Sequence, residues 1–281
     1  MSLNQRANTQ MTLAKRNAFP RDARIRFVTG PGVHLYLVDD KKIGVSVTGL
    51  IESVAGDHFD PDRVIASMKR SRAWPYPKYC DVVDGKPYPW TDERIKTTWN
   101  ESGRRAEKLG TDLHGKIELC LNLEVVEFGE EGPDDNRLEM SYFDRYWAFM
   151  CANGWEAYLT EAIIFDELAD VAGSVDLIAR NRISGKFAII DWKRCLTKGS
   201  GFNDSFGKHF DEPLSHVPKT KSNKWKLQVN IYREILEEHY GICIDLMCMV
   251  VFHSENSEAE VHEYGRTDDA RTLLEYRKAL L

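Results

Sequence analysis

Two hydrophobic periodicities alternate along the chain and predict its secondary structure. Alternating apolar residues are typical of half-buried strands, and apolar residues three and four positions apart are typical of amphipathic helices. Strand-like spacing marks residues 25–28, 34–38, 44–47, 155–165, 169–180, 186–194 and 244–252. Helical spacing marks residues 91–125, 138–153 and 226–239, together with a helix beginning at residues 60–61 and a C-terminal helix from residue 268. Residues 73–89, which are rich in proline and tyrosine, and residues 196–224 are expected to be irregular.

The order of these elements predicts an α/β fold. The first two strands flank the turn Gly30-Pro31-Gly32 and predict a β-hairpin. Later, three consecutive strands joined by short turns lie between helices, and a further helix and strand follow. Such a meander supplies the centre of a mixed sheet that helices cover.

Composition identifies an ordinary folded chain. Of the 281 residues, 42% are hydrophobic and 29% are charged, which argues against disordered, collagen-like and coiled-coil classes. The longest apolar stretch, residues 246–252, is far shorter than the ~20 residues that cross a bilayer, so no membrane span is expected. The six cysteines form no CxxC pair, and we therefore expect free thiols in an intracellular compartment. The cytoplasm or nucleus fits, and the basic N-terminal arm leaves a mitochondrial location open.

Charge is unevenly distributed along the sequence. The formal net charge of -6 gives no global sign of a polyanionic partner. Residues 193–226, however, carry eight basic and three acidic residues, a net of +5. This basic segment and the N-terminal arm are candidate contacts for a nucleic-acid backbone, although a solvated lysine-rich loop would have the same composition.

Two aspartates and a lysine indicate a possible chemistry. Asp176 opens the middle strand of the meander in a Gly-x-x-Asp sequence, and Asp191 lies near the end of the next strand. Antiparallel pairing around the turn at Gly185 would bring both carboxylates to one edge of the sheet. Lys193 follows Asp191 by two residues, so strand alternation points both to the same face. Carboxylates that hold Mg²⁺ beside an ammonium that positions water are what metal-assisted phosphodiester hydrolysis requires.

These residues resemble the signature of the PD-(D/E)XK nuclease superfamily, specifically its RecB-like exonuclease branch, which includes viral and mitochondrial-genome-maintenance-type exonucleases. Residues 110–114 read Gly-Thr-x-x-His, and Gln228 with Tyr232 reads Gln-x-x-x-Tyr, both as in that branch. Residues 34–36 and 46–48 are similar to an N-terminal segment of the viral and mitochondrial relatives. The motifs occur in the expected order over roughly residues 30–255.

The resemblance implies a restriction-endonuclease-like core, with a central mixed β-sheet flanked by helices and an N-terminal hairpin and helical extension. It divides the chain into a flexible arm (1–24), a hairpin and helical subdomain (25–100) and a nuclease core (101–281). Asp176, Asp191 and Lys193 are the implied catalytic residues. One or two Mg²⁺ or Mn²⁺ ions would be held by His114, Asp176, Asp191 and the carbonyl of Trp192. Expected substrate contacts are Glu161, Gln228 and Tyr232, with Arg194 and Lys198 from the basic segment.

Several of these residues also have simpler interpretations. His114 lies beside apolar helix positions and could be a packed residue, and Glu161 could belong to a structural salt bridge. The side chain of Trp192 must face away from Asp191 and is expected in the core. Aromatic residues between positions 74 and 90 could stack on bases or simply pack a proline-rich connection.

The expected function is metal-dependent DNA hydrolysis, with an exonuclease that acts on single-stranded ends or flaps in replication, repair or recombination as the first choice. A structure- or sequence-specific endonuclease of the same fold and a non-catalytic DNA-binding recombination accessory protein remain alternatives. No Walker A sequence is present, so unwinding would require a separate helicase or replication or recombination partner. Only Cys243 and Cys248 lie downstream of the motifs, and we expect no iron–sulfur cluster.

Overall fold

The computed structural model describes residues 4–6, 12–17, 19, 23–30, 33–56, 59–132, 134–195 and 202–281. In chain order they form β1 (Asn4–Arg6), α1 (Thr12–Arg16), β2 (Ile25–Gly30), β3 (Val33–Val38), β4 (Lys41–Lys42), β5 (Val45–Ser46), α2 (Val47–Ser53), α3 (Pro61–Lys69), β6 (Cys80–Val83), β7 (Lys86–Pro89), α4 (Asp92–Leu121), α5 (Arg137–Ala152), β8 (Trp155–Asp166), β9 (Val171–Asn181), β10 (Phe187–Arg194), α6 (Lys221–Tyr240), β11 (Ile244–Phe252), β12 (Glu260–Glu263) and α7 (Asp269–Ala279). No helix within these ranges is long and apolar enough to cross a membrane.

The chain forms two compact units. The main unit contains residues 1–56 and 110–281, and the small unit contains residues 57–109. This division differs from the one expected from the sequence, which grouped residues 25–100. Residues 25–56 belong with the main unit because β5 pairs in parallel with β9, which joins this part of the chain to the central sheet.

The main unit is an α/β structure built on a six-stranded mixed sheet. The strand order is β12-β11-β10-β9-β5, and β8 pairs with the other edge of β9. The meander β8-β9-β10 is antiparallel, whereas β11 runs parallel to β10 after the crossover through α6. The sequence predicted all four of these strands and their order, and the mixed sheet is confirmed.

Helices cover both faces of this sheet. On one face, buried residues of α4 and α5 pack against β10 residues such as Ala188, Ile190 and Trp192. On the other face, residues of α2, α6 and α7 pack against intervening positions such as Ile189. The two faces of β10 therefore have different neighbours, which separates the roles of consecutive residues at its end.

A second, four-stranded sheet has the order β1-β2-β3-β4 and contains the predicted hairpin. Ile25 and Val38 of this hairpin pack with Ile163, Phe165 and Ala172 of β8 and β9. The hairpin thus lies against the central sheet beside residues that surround Glu161.

The small unit has its own apolar centre. Ile65, Tyr79 and Ile95 are buried there, and a set of aromatic rings packs around them: Trp74, Tyr76, Trp90 and Trp99. These aromatic residues support a core, as the packing interpretation predicted. The expectation of irregular structure over residues 73–89 was wrong, because β6 and β7 form an antiparallel hairpin within it.

One helix begins earlier than predicted, because its first turn consists mostly of polar residues and shows no apolar spacing. The helix α6 begins at Lys221 rather than at residue 226. Thr220 caps it, because its Oγ1 accepts a hydrogen bond of 2.9 Å from the Asn223 N–H. This cap draws an additional polar turn into the helix.

Candidate metal and active site

A gap in the pairing of β9 creates the site. One edge of β9 pairs with β8 along its whole length. On the other edge, residues 177–180 pair with β10 and residues 171–172 pair with β5, so the intervening residues 173–176 have neither strand as a ladder partner. Asp176 lies where β10 leaves β9, and its Oδ2 accepts a 2.8 Å hydrogen bond from the Trp192 N–H. The Asp176 carboxylate therefore takes the place of a backbone carbonyl as acceptor for the Trp192 N–H.

Helix α4 brings an imidazole to the same place. His114 Nε2 lies 2.9 Å from the carbonyl oxygen of Trp192, and Nδ1 lies 3.5 Å from Asp176 Oδ2. A neutral imidazole has one N–H and can donate to only one of these two oxygens. Both ring nitrogens thus lie next to oxygen atoms of the site, an arrangement compatible with a ligand position. The tryptophan ring itself is buried, as predicted, between Phe143, Tyr146 and Phe252.

Glu161 completes a group of three metal-compatible side chains. One ligand atom each from His114, Glu161 and Asp176 lies within 4.8 Å of the others. The hydroxyl of Ser174 donates a 2.9 Å hydrogen bond to Glu161 Oε2. Glu161 has φ of 46°, a left-handed conformation that costs a non-glycine residue about 1–3 kcal/mol within a strand. The strain turns this acid out of the regular β8 ladder towards Asp176.

Asp191 and Lys193 form an ion pair on the opposite face of β10 from Trp192. Lys193 Nζ lies 2.5 Å from Asp191 Oδ2, and the Asp191 side chain is 1% exposed whereas the Lys193 side chain is 25% exposed. Burial and the nearby Asp176 carboxylate raise the pKa of Asp191, against the opposing effect of Lys193. Burial acts to lower the pKa of Lys193, but Asp191 and Asp176 outweigh it and raise that pKa. The lysine is therefore held as an ammonium beside two carboxylates.

Helix α6, which covers this face of the sheet, contacts the Asp191 carboxylate. Gln228 Nε2 donates a 2.8 Å hydrogen bond to Asp191 Oδ1 and lies 3.2 Å from the Tyr232 hydroxyl. The tyrosine ring fits against Gly173, where a Cβ atom would lie only 2.6 Å from Tyr232 Cε1. The glycine of the Gly-x-x-Asp sequence is thus required for the close approach of this ring. Of the predicted helix motif, Gln228 thus binds the predicted acid directly, and Tyr232 lies against Gln228.

The donor set fits a divalent cation. Carboxylate and carbonyl oxygens suit Mg²⁺ and Mn²⁺, and an imidazole nitrogen additionally favours a transition ion such as Mn²⁺. Asp191 Oδ2 is buried and lies beside the Lys193 ammonium. A cation bound next to Asp191 and Asp176 would reduce the repulsion between these two carboxylates.

Two hydroxyl-bearing residues at the site were not predicted. Burial, Glu161 and Asp176 raise the pKa of Tyr36, and the Ser174 backbone makes a hydrogen bond to it, so the Tyr36 hydroxyl lies near both acids. Ser174 binds Glu161 directly. The available signals were the position of Ser174 within the Gly-x-x-Asp sequence and that of Tyr36 within the segment 34–36, which the hairpin brings to the site.

Arg194 is not brought together with these residues. Its Nη2 lies 2.7 Å from Glu139 Oε1, and its Nε donates a 2.6 Å hydrogen bond to Asn136 Oδ1. The side chains of Arg194 and Glu139 are each 5% exposed. The structure places this arginine in a buried network at the start of α5, away from the face occupied by Lys193, instead of at the predicted substrate contact. Strand alternation accounts for this, since Arg194 shares the face of Trp192.

Much of the described basic segment also has internal partners. Lys219 donates a hydrogen bond to the Ala55 carbonyl, and Lys224 lies 2.7 Å from both carboxylate oxygens of Glu52. Lys198, the other predicted substrate contact, lies outside the described residues. The net charge of the segment therefore overstates the positive charge available to a polyanion.

The chain was compared with protein families, curated proteins and solved structures. No family model and no curated protein matches the chain. A solved structure titled "Crystal structure of SSO0001" is 15% identical with a TM-score of 0.28, and the match covers 50% of this chain and 58% of that chain. The match thus spans little more than half of that chain.

Proposed function

We propose that this protein is a metal-dependent deoxyribonuclease with a PD-(D/E)XK core of the RecB-like type. The observation that carries the proposal is the pairing of the buried Asp191 carboxylate with the partly exposed Lys193 ammonium, beside Asp176 where β10 leaves β9. Two neighbouring carboxylates with an adjacent ammonium, one of the acids fully buried, are costly for the fold and typical of a functional site. The support from Gln228 adds a second, independent restraint on the same acid.

The residues that would hold Mg²⁺ or Mn²⁺ are His114, Glu161, Asp176, Asp191 and the Trp192 carbonyl. When bound, the ion would supply charge neutralisation at the phosphoryl oxygens and lower the pKa of coordinated water. Compared with the ligands expected from the sequence, Glu161 moves from substrate contact to ligand. Asp191 has a double role, since it also pairs with Lys193.

The remaining residues would position the reacting groups. The Lys193 ammonium would donate a hydrogen bond to the attacking water and favour the negative charge that develops as it attacks phosphorus. Gln228 would keep the Asp191 carboxylate oriented towards that lysine, and Tyr232 would close the space behind it. We favour DNA with free single-stranded ends as the substrate, and a replication, repair or recombination protein as the partner that exposes such ends.

The test is hydrolysis of end-labelled single- and double-stranded DNA in Mg²⁺ or Mn²⁺. Asp176→Asn and Lys193→Met should each lower the rate at least about 100-fold, the size of effect typical for loss of one group that stabilises developing charge. Lys186→Met is the matched control, because the Lys186 side chain is exposed and its ammonium pairs with Asp245. Its rate should equal that of the wild type.

Wild-type protein that cleaves neither DNA substrate with either ion would overturn the proposal. Wild-type rates for folded Asp176→Asn and Lys193→Met would do the same. Circular single-stranded DNA decides the mode of attack, since an exonuclease that needs an end leaves circles intact. Cleaved circles would replace the exonuclease with an endonuclease of the same chemistry.

A further inference from the structure

A tight turn between β10 and α6 displays an exposed aromatic ring. The Lys208 N–H donates a 2.9 Å hydrogen bond to the Ser205 carbonyl, and the two central residues, Phe206 and Gly207, have φ of 50° and 71°. Positive φ at both positions defines a type I′ turn, in which glycine, asparagine or aspartate normally occupies the first central position. Phe206 is 80% exposed. A strained backbone that presents a large ring to water does not benefit the fold, and this combination points to a ligand.

The segment that carries the turn is anchored on both sides. Before it, the Phe202 ring packs against Trp225 and His262, with centroids 5.1 Å and 4.5 Å away. After it, Phe210 is 2% exposed in the main core. Asp204 Oδ1 also accepts a 2.8 Å hydrogen bond from the Phe206 N–H. The ring is therefore held on a fixed support, so less conformational freedom is lost when it binds.

The turn begins close to the end of the strand that carries Lys193. Cys195, two residues after Lys193, has its Sγ 3.3 Å from Lys221 Nζ at the start of α6. The Ser222 N–H donates a 3.1 Å hydrogen bond to the Phe202 carbonyl, which places Phe202 at the same helix end. Phe206 follows four residues later. Four extended residues span at most about 14 Å, which bounds the separation of Phe206 from Phe202 at this helix end. A single strand of the ~4–16 nucleotides that one single-strand-binding domain contacts is long enough to pass both the end of β10 and this ring.

The surroundings of Phe206 favour a base as its partner. The residues next to Phe206 in the sequence are polar, Asp204, Ser205, Lys208 and His209, so the ring is not part of an apolar run of the kind that a protein or membrane contact uses. An unpaired base offers a free π-face that stacks on one aromatic side chain, whereas bases in a duplex are already stacked.

We propose that Phe206 is a stacking platform for an unpaired base of the single-stranded substrate, an inference that rests on the proposed nuclease function. The experiment measures binding of the full chain to a fluorescent oligothymidylate and to a duplex of equal length, in Ca²⁺ and in EDTA, and the KM and kcat of cleavage in Mg²⁺. The key variant is Phe206→Asn. Asparagine suits the turn position, so the backbone is retained while the ring is lost.

Phe206→Asn should bind the single strand about 5- to 140-fold more weakly, the loss expected for one base–aromatic stack, and duplex affinity should stay the same. KM for the single strand should rise while kcat is kept, and Phe206→Trp should restore affinity. Phe149→Asn is the matched control, because Phe149 is a 64% exposed phenylalanine on α5. It should behave as the wild type.

Equal single-strand affinity of Phe206→Asn and wild type, in an enzyme that cleaves DNA, would overturn the stacking role and leave the nuclease intact. A wild type that binds single strands through Phe206 but cleaves nothing would keep this inference and remove the proposed activity. Equal weakening for duplex and single strand would also reject stacking. The stacking role would also be rejected, in favour of a membrane contact, if the wild type binds anionic lipid vesicles but no nucleic acid and Phe206→Asn loses the vesicle binding.

Discussion

Substitution of Arg194 tests which face of β10 its side chain occupies. The sequence suggested a substrate contact, whereas the structure buries this arginine against Glu139 and Asn136. In Arg194→Met, the methionine side chain fills most of the volume of the arginine. The Glu139 carboxylate, which is 5% exposed, then has no positive partner in this ion pair. An uncompensated buried charge of this kind destabilises by about 3–5 kcal/mol.

This magnitude is a large share of the total stability of a domain, which is typically about 5–15 kcal/mol. At about 2–4 °C for each kcal/mol, the variant should unfold roughly 6–20 °C below the wild type. The double variant Glu139→Leu with Arg194→Met removes both charges and should recover most of the loss, because an apolar pair of similar volume needs no compensation. Arg180→Met, at an exposed position of β9, should change the free energy of unfolding by less than about 0.5 kcal/mol.

The assay is chemical and thermal unfolding of the four proteins, with DNA binding measured on the folded variants. A loss below about 1 kcal/mol for Arg194→Met, together with weakened DNA binding, would refute the buried-pair reasoning. It would support the substrate contact instead. A large loss of stability with unchanged DNA affinity of the folded fraction is the result that the structure predicts.

Two further predictions concern packing and pH. Gly173→Ala should destabilise the fold by about 1–3 kcal/mol, because the added Cβ would overlap the Tyr232 ring. Gly110→Ala in α4 is the control, since its Cβ meets nothing within 4 Å and the change should be neutral or stabilising. Urea unfolding measures both variants, and equal midpoints would contradict the close approach of Tyr232 to Gly173. Burial acts to raise the pKa of Glu237, but a backbone N–H and Arg266 outweigh it and lower that pKa below its usual 4.5. The carboxylate therefore stabilises the fold fully above about pH 4.5, and this contribution is lost as the pH falls through the depressed pKa. Glu237→Gln should lower stability at neutral pH and flatten its decline in acid, and parallel pH profiles of variant and wild type would exclude this role.

The predictable part of the site follows from short-range geometry along strands. Asp176 and Asp191 meet because an antiparallel pair joined at Gly185 aligns the start of one strand with the end of the other, and the pairing of residues 177–180 with β10 bears this out. The helix spacing of Gln228 and Tyr232 likewise placed both on one face, where they meet Asp191. The same alternation could have warned that Arg194 faces away from Lys193.

Other features depend on contacts between distant segments. Glu161 was ambiguous between a salt bridge and a site residue, and its left-handed backbone and its contact with Ser174 decide its direction. The pairing of Lys224 with Glu52 removes a predicted phosphate contact through a residue 172 positions away. The β6–β7 hairpin escaped prediction because its prolines and exposed residues give no alternation of buried and exposed positions.

The sequence by itself determined the strands of the meander, their order, the mixed α/β class and the face on which each residue near Asp191 lies. These properties arise from a period of two residues and from turn lengths, which are local. Only the tertiary structure decided that His114 approaches the Trp192 carbonyl, that Glu161 joins it, and that Arg194 is neutralised by Glu139. Each of these contacts joins residues that are far apart in the sequence, and a local pattern of residues does not specify which distant side chain will lie next to them. The activity proposed for the site, and the base that would stack on Phe206, rest on both levels together.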